Sequence, residues 1–526
     1  MPLTVLIETR KNLLQQIQDK DKLWDVLVIG GGATGLGVAL DAVSRGYKTL
    51  LVEQSDFAKG TSSRSTKLVH GGVRYLAQGD LLLVREASVE RGLLTRNAPH
   101  LVKNQTFIIP IYNFRDRLKY TIGLKLYDWI SGKFTLGSSL FISRKKTIER
   151  LPGINTKGLL GGVLYHDGQF DDSRLAINLA QSILENGGCA INYMKVTGLL
   201  KGGDQKINGA VIRDEETGIK YNIKTKAVVN ATGVFVDSIL QMDNSSGKKT
   251  ICVSQGVHLV FDNTFYPSGD ALMIPETSDG RVLFAVPWHN KVVVGTTDTL
   301  VDEASLEPHA LEKEIAFILE TAAIYFTKKP QRSDVLSVFA GLRPLAAPDE
   351  GEQKTKEISR SHKIIVSTSQ LFTILGGKWT TYRKMGQDMM NCIEKKLNWK
   401  HKRTTTASMR IYGYAENVNW SDPFYFYGSD GMKIRQRMNG TANEWISESL
   451  KIHRQQVQWA VEHEMARTVE DVLSRRTRAL LLNARESIRI APEVAQVMAV
   501  ELNKDEQWIK DQVIEYTALA NNYILN

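Results

Sequence analysis

Asp25-Val-Leu-Val-Ile-Gly-Gly-Gly-Ala-Thr-Gly35 is the stretch whose reading decides the fold. Val26 to Ile29 form a short run of β-branched and aliphatic residues, the pattern of a buried parallel strand. Gly30, Gly32 and Gly35 then fit the G-x-G-x-x-G spacing. The first glycine allows a tight turn and the second admits a pyrophosphate close to the backbone. The third lets the next helix pack against the strand, with its first N–H groups aimed at the anion. A second apolar run, Thr49 to Val52, delivers Glu53 about 20 residues past Gly35, where a carboxylate accepts hydrogen bonds from an adenosine ribose. Set between two strand runs and followed by a placed acid, the turn reads as a dinucleotide site.

The composition is that of a folded, multidomain chain. Its 526 residues exceed what one core usually supports, and 42% hydrophobic with 24% charged residues are globular values. Lys+Arg 67 against Asp+Glu 57 leaves a formal charge of +10, which reads as a solvated basic surface or as suited to an anionic substrate, an anionic membrane surface or nucleic acid. The cations are spread along the chain without the aromatic interleaving of an RNA-binding module, so no nucleic-acid partner is expected. Cys189, Cys252 and Cys392 are the three cysteines and lie far apart, so no disulfide framework, iron–sulfur site or metal site is expected. No secretory signal and no apolar run long enough to span a bilayer is visible.

After Glu53 the chain spends some twenty residues on hydroxyls, glycines and cations, Asp56-Phe-Ala-Lys-Gly-Thr-Ser-Ser-Arg-Ser-Thr-Lys-Leu-Val-His-Gly-Gly-Val-Arg-Tyr75. Such a segment builds no core but can wrap a large polar cofactor. With the Gly-rich turn, it resembles the FAD-dependent, quinone-linked glycerol-3-phosphate dehydrogenase family among the glycine-oxidase-like flavoproteins. Val294-Gly-Thr-Thr-Asp298, Phe339-Ala-Gly-Leu-Arg-Pro-Leu345 and Leu371-Phe-Thr-Ile-Leu-Gly-Gly-Lys-Trp-Thr-Thr-Tyr-Arg383 carry the resemblance further, from about residue 24 to the C-terminus. It implies an α/β fold: a Rossmann-like two-dinucleotide-type FAD-binding domain, an antiparallel-sheet substrate domain and an all-α C-terminal cap. The expected boundaries are 24–248 with 334–398 for the FAD domain, 249–333 with contributions from about 80–165 for the substrate domain, and 407–526 for the cap.

Local patterns place the pieces. Residues 170–184 read as a helix capped by Asp172 or Ser173 and stopped at Gly187-Gly188. Lys226-Ala-Val-Val-Asn-Ala-Thr-Gly233 reads as a buried strand ending in a small-residue turn. Residues 249–370 alternate as strands around one helix near 308–326, and a helix over 379–397 buries Met385, Met389, Cys392 and Ile393. Residues 115–130 mix cations with Leu, Tyr and Trp at helical spacing; the segment alone reads as a core helix with a basic outer face, with an interfacial helix as the alternative. Lys400-His-Lys-Arg-Thr-Thr-Thr406 reads as a linker. Beyond it, Thr468-Val-Glu-Asp471 fits a capping box and Pro492 a helix's first turn. Arg475-Arg476-Thr-Arg478 reads as a solvated face or as ion-pair partners of Glu462, Glu464 and Asp471.

The resemblance implies oxidation of sn-glycerol 3-phosphate to dihydroxyacetone phosphate, with FAD taking hydride and the electrons passing to quinone. It assigns FAD contact to Gly30, Gly32, Thr34, Gly35, Glu53, Thr61, Ser62, Lys67, His70, Gly72, Val196, Gly233, Gly377 and Thr380. Substrate contact falls to Arg74, Tyr75, Thr297 (interchangeable with Thr296), Arg343, Arg360 and Lys378, since an arginine fork suits a phosphate. Arg343, Lys378 and His258 are the catalytic candidates, and either His258 or Lys378 serves as base. A glycerol-3-phosphate oxidase using dioxygen and an amino- or hydroxy-acid oxidase are the alternatives. The remaining expectations are a homodimer, peripherally attached to the inner face of the cytoplasmic membrane.

Overall fold

The structure, a computed structural model, describes residues 10–73, 76, 79–246, 248–277, 280–347, 362–438 and 443–525. The chain enters through α1 (Arg10–Gln18) and β1 (Leu23–Ile29), turns into α2 (Ala33–Ser44) and returns as β2 (Thr49–Val52). There follow β3 (Leu68–Val69), α3 (Leu81–Asn97), β4 (Val102–Ile111), α4 (Phe114–Ser131), β5 (Leu140–Ser143), α5 (Arg144–Arg150) and β6 (Gly161–Phe170). Next come α6 (Asp172–Glu185), β7 (Cys189–Ile191), β8 (Met194–Lys201), β9 (Ile207–Asp214), β10 (Lys220–Asn230) and α7 (Val236–Asp243). The middle holds β11 (Ile251–Asp262), β12 (Ala271–Ile274), β13 (Leu283–Trp288), β14 (Lys291–Gly295), β15 (Thr299–Val301), α8 (Glu312–Tyr325) and β16 (Ser337–Ala346). Then β17 (His362–Val366), β18 (Leu371–Gly376) and α9 (Tyr382–Lys396) lead to α10 (Gly431–Arg437), β19 (Trp445–Ser447), β20 (Ile452–His453), α11 (Arg454–Glu464), α12 (Ala479–Leu482), α13 (Ala484–Leu502) and α14 (Glu506–Asn521).

Two sheets carry the molecule. The first has the order β17-β18-β10-β1-β2-β7, parallel from β18 to β7, with β9 and β8 added antiparallel beside β10. Chain order reverses at β1, which lies between β2 and β10, so a crevice opens at its carboxyl end. The second sheet, β15-β11-β14-β13-β12-β4-β6-β3, is antiparallel except where β12 meets β4. β16 pairs with β11 over its whole length. Ser337–Ala346, within the 334–398 segment expected with the FAD domain, thus pair into the second sheet through a ten-residue ladder.

Several local expectations are corrected. Asp171, not Asp172 or Ser173, caps α6 by accepting from the Arg174 amide, since the Asp172 carboxylate is engaged elsewhere. Pro492 lies inside α13, which starts at Ala484 behind the Asn483 cap. Residues 400–406 are docked rather than a free linker: Thr404 and Thr406 donate to Asp41, and Arg45 donates to the Lys402 carbonyl. The Thr468/Asp471 pair does form reciprocal capping bonds.

The helix over 115–130 departs most from the core reading. On α4, Phe114, Leu118, Ile122, Leu126 and Trp129 face solvent, Trp129 at 78% exposure, while Leu124 and Tyr127 turn inward. Leu82, at the start of α3, is 81% exposed. The apolar residues at i, i+4 spacing thus form the outer stripe.

The C-terminal helices close the fold over both sheets. Val457, Leu473, Leu480 and Val494 pack on Val260, Trp288, Val293 and Phe339 of the second sheet. Ile411, Phe424, Phe426 and Ile434 pack into the first core. Arg475, Arg476 and Arg478 are fully buried, not a solvated face. Arg475 and Arg476 bind Asp56 at 2.5 Å, and Arg475 also binds Asp471 and Glu470. Arg476 lies 3.9 Å from Glu464, whereas Glu462 takes Arg437 instead. Arg478 meets Asp171 at 3.0 Å.

Candidate functional site

A cavity of about 810 Å³ opens at the carboxyl end of β1 and runs to the face of the second sheet. That volume is in the upper part of the roughly 300–1,000 Å³ typical of small-molecule sites. Its near end is the Gly-rich turn. Gly30 adopts φ +111°, and a Cβ at Gly35 would lie 1.9 Å from the Gly30 carbonyl oxygen, so neither position accepts a side chain. The close strand–helix approach aims the N-terminus of α2 into the cavity, where Ser62 Oγ accepts from the Ala33 amide at 2.9 Å. Glu53 stands at the end of β2. Its carboxylate accepts from the Gly31 and Ser55 amides at 2.7 and 2.9 Å, while burial pushes its pKa above the ordinary value.

At the far end stands Arg343, on β16 opposite Ser254 of β11. A Cβ at Gly256 would lie 2.3 Å from Arg343 Nη2, so this glycine clears the path of the guanidinium across the sheet. Arg343 donates to Thr296 Oγ1 at 3.1 Å and to the Thr297 carbonyl at 3.2 Å, and it faces Asp298 at 3.5 Å. Asp298 accepts the Ser254 hydroxyl in turn. His258, on β11, stacks on Phe339 at 4.8 Å and shares a 2.9 Å hydrogen bond between Nε2 and Thr66 Oγ1. Burial, with Arg343 and Lys67 adding to it, holds its pKa well below 6.5, so the ring is neutral at physiological pH. Lys378 follows Gly376 and Gly377, both at positive φ, and also lines the cavity.

Of the expected site residues, the cavity wall gathers Gly30, Gly32, Thr34, Glu53, Thr61, Ser62, His70, Val196, His258, Gly233, Arg343, Gly377, Lys378 and Thr380. Arg74, Tyr75 and Arg360 lie outside the described residues. Gly35 and Gly72 are not on the wall. Lys67 is a correction: its ammonium is sealed against Asp172 at 2.8 Å and the Ser63 carbonyl at 2.6 Å, over the Trp288 ring. It fastens the hydroxyl-rich loop to the start of α6, and the residue is not part of the cavity wall. Thr297 is corrected to Thr296. Thr297 Oγ1 donates to buried Glu314 and accepts from the Val257 amide, whereas Thr296 lines the cavity beside Arg343. Sequence reading missed Thr66, Asp167 and Asp298 as members of this region; Thr66 and Asp298 lay in quoted motifs, whereas Asp167 lay in none.

Comparison with known proteins agrees with this geometry. A family model described as FAD dependent oxidoreductase matches residues 25–383, and the C-terminal domain of alpha-glycerophosphate oxidase matches residues 373–509. The chain is 37% identical to the mitochondrial glycerol-3-phosphate dehydrogenase of Homo sapiens, over 93% of this chain and 72% of that one. A probable mitochondrial glycerol-3-phosphate dehydrogenase of Caenorhabditis elegans is also 37% identical, over 94% and 73%. Among solved structures, the glycerol-3-phosphate dehydrogenase from Bacillus halodurans complexed with FAD superposes with a TM-score of 0.79 at 31% identity, covering 98% of this chain and 97% of that one. L-alpha-glycerophosphate oxidase from Mycoplasma pneumoniae, at 18% identity and a TM-score of 0.56 over 76% and 100%, shares the fold.

Proposed function

Because this chain belongs to the FAD-dependent glycerol-3-phosphate dehydrogenase family, we propose that it oxidises sn-glycerol 3-phosphate to dihydroxyacetone phosphate and passes the electrons to quinone. The observation that carries the reading is the meeting, in one cavity, of the Gly30–Gly35 turn and Glu53 with Arg343, His258 and Lys378. The near end fits FAD: the α2 N-terminus suits its pyrophosphate, and Glu53 suits its adenosine ribose. When bound, FAD supplies the hydride acceptor.

The chain's own residues supply the rest. Arg343 is presented as a fork held by Thr296, the Thr297 carbonyl and Asp298, and such a fork binds a phosphate bidentately. Lys378 adds a second cation to the same wall. As carbon 2 gives up hydride, its hydroxyl must lose a proton. His258 is placed to take that proton at Nε2, the nitrogen that now meets Thr66 Oγ1 at 2.9 Å; its lowered pKa keeps the ring neutral beforehand and makes it hand the proton on rather than hold it. The pairing of Arg343 with Lys378 on the cavity lining favours a phosphate over the single carboxylate that an amino-acid oxidase holds with one arginine.

Anaerobic mixing with sn-glycerol 3-phosphate should bleach the flavin absorbance of the purified protein, and serine or lactate should not. No bleaching by glycerol 3-phosphate would sink this reading. Oxygen uptake by lipid-free enzyme distinguishes the acceptors: slow uptake with fast reduction of a water-soluble quinone supports the quinone, and rapid peroxide formation assigns dioxygen.

A membrane surface is the site proposed for quinone delivery: the inner face of the cytoplasmic membrane, with the protein a homodimer. No helix among the described residues is long and apolar enough to cross a membrane. Attachment is assigned to α4 by its outward Phe114, Leu118, Ile122 and Trp129, interleaved with exposed Arg115, Arg117, Lys119 and Lys125. Each such apolar side chain taken from water contributes about 1.5–3 kcal/mol. The double variant Ile122→Asp/Trp129→Asp should bind phosphatidylglycerol vesicles at least about tenfold more weakly in co-sedimentation, and added salt should weaken the wild type. Unchanged binding would assign another surface.

A further inference from the structure

Behind the cavity wall lies a buried polar cluster that the reaction described above does not use. Asp167, on β6, lines the cavity. Its Oδ1 accepts from Arg91 Nη1 at 2.7 Å and from the Gly71 amide at 3.2 Å, and its Oδ2 accepts from the Tyr127 hydroxyl at 3.1 Å. The same hydroxyl accepts from Arg91 at 2.7 Å, and Arg91 also donates to the Phe134 carbonyl at 3.0 Å. Arg91, Tyr127 and Asp167 are all at most 2% exposed. They come from α3, α4 and β6 respectively, and Asp167 among them accepts the Gly71 amide.

That amide belongs to the segment that forms the cavity wall. His70 and Val73 both line the cavity, and Gly71 stands between them. A Cβ on Gly71 would lie 2.2 Å from the Tyr127 hydroxyl oxygen and 2.7 Å from Ser88 Oγ. The tyrosine and the glycine backbone are therefore in direct contact, with no room between them. A buried Arg–Asp pair is seldom worth more to stability than apolar side chains of the same volume. Here the pair is directional: Arg91 holds the carboxylate whose Oδ1 accepts the Gly71 amide.

We propose that Tyr127, held by Arg91 and Asp167, is a positioning residue for the reaction, fixing the Gly71 backbone so that the His70–Val73 wall meets cofactor and substrate. This rests on the reading of the cavity as a flavin and glycerol 3-phosphate site. It also gives α4 a second role, since the helix presents its apolar stripe outward and the Tyr127 hydroxyl inward.

The test is a double-variant cycle on the FAD-loaded enzyme with Tyr127→Phe, Gly71→Ala and both together. Tyr127→Phe removes one hydroxyl and leaves the Arg91–Asp167 pair. It should raise the half-saturating glycerol 3-phosphate concentration in anaerobic flavin reduction roughly five- to tenfold, with some loss of thermal stability and the limiting reduction rate nearly unchanged. Gly71→Ala should be worse in both half-saturation and FAD dissociation constant. Adding Tyr127→Phe to it should restore part of both losses, because the oxygen nearest the new methyl is gone. A merely structural tyrosine would lower stability without moving half-saturation, and losses that simply multiply in the double variant would overturn the proposal. The FAD dissociation constant needs no substrate. If wild-type flavin is not reduced by glycerol 3-phosphate, the function falls, and this cycle still decides the coupling by whether FAD binding recovers in the double variant.

Discussion

Replacing Arg343 by alanine should lower kcat/KM for glycerol 3-phosphate by about 10²–10³-fold and leave FAD content unchanged. Each hydrogen bond from the guanidinium to a phosphate oxygen is worth roughly 1.5–3 kcal/mol, and a fork makes two. Truncation also removes the guanidinium that faces Asp298 at 3.5 Å, so the local charge turns less favourable to an anionic substrate. Lysine keeps the charge but not the fork, and Arg343→Lys should recover only part of the loss. Steady-state turnover with a dye acceptor measures both. Activity within threefold of wild type in the alanine variant would remove Arg343 from the substrate site.

A comparable loss, in stability rather than turnover, is expected at Asp56. This carboxylate is wholly buried and joins Arg475 and Arg476 of the C-terminal region to the loop that leads from Glu53 to the cavity-lining residues Ala58–Ser62. Asp56→Ala leaves two buried guanidinium groups with one fewer counter-charge, a defect worth about 3–5 kcal/mol. The thermal midpoint should fall by several degrees, and FAD should be held less tightly because Lys59, tied to Glu470 at 2.7 Å, lies on the same loop.

The pH dependence has a definite sign. Burial alone would raise the pKa of Asp56, but Arg476 and Arg475 hold it far below the carboxylate range. Glu470 is likewise brought down to about 2 by Arg475 and Lys59 against its burial. A carboxyl group depressed on folding stabilises fully above its unfolded value near 4, and that stability is lost as pH falls through the folded value. The stability difference between wild type and Asp56→Ala should therefore be constant from neutral pH to about 5 and shrink below about 4. Melts at stepped pH read this directly, and a difference that grows on acidification would refute the assignment.

The arginine run illustrates what sequence could and could not show. Its ion-pair character was legible from the acids nearby, and Asp471 and Glu464 do take part. Its main partner, Asp56, lies more than four hundred residues away in the chain, and no local pattern points across such an interval. Lys67 is the converse case. It sits in a motif that names a cofactor loop, yet the loop's own fold turns its ammonium to Asp172 and away from the cavity. Thr296 and Thr297 show the same limit at the smallest scale. Adjacent hydroxyls at a strand end point to opposite sides, and only the packing of α8, through Glu314, selects which one faces inward. For α4 the helical spacing was readable, but spacing alone does not say which face the sheet covers.

What the sequence by itself determined is the nucleotide end of the site: β1, the Gly30–Gly35 turn, α2, β2 and Glu53. Those features rest on contacts between neighbours in the chain, where steric limits on φ and the reach of one amide are set by residue type and spacing. The tertiary structure alone decided the substrate end and its supports: which threonine faces Arg343, where Lys67 points, how the C-terminal arginines find Asp56 and which side of α4 is left open. These depend on side-chain direction and burial, which are fixed only when distant segments pack and each buried charge has to find its partner.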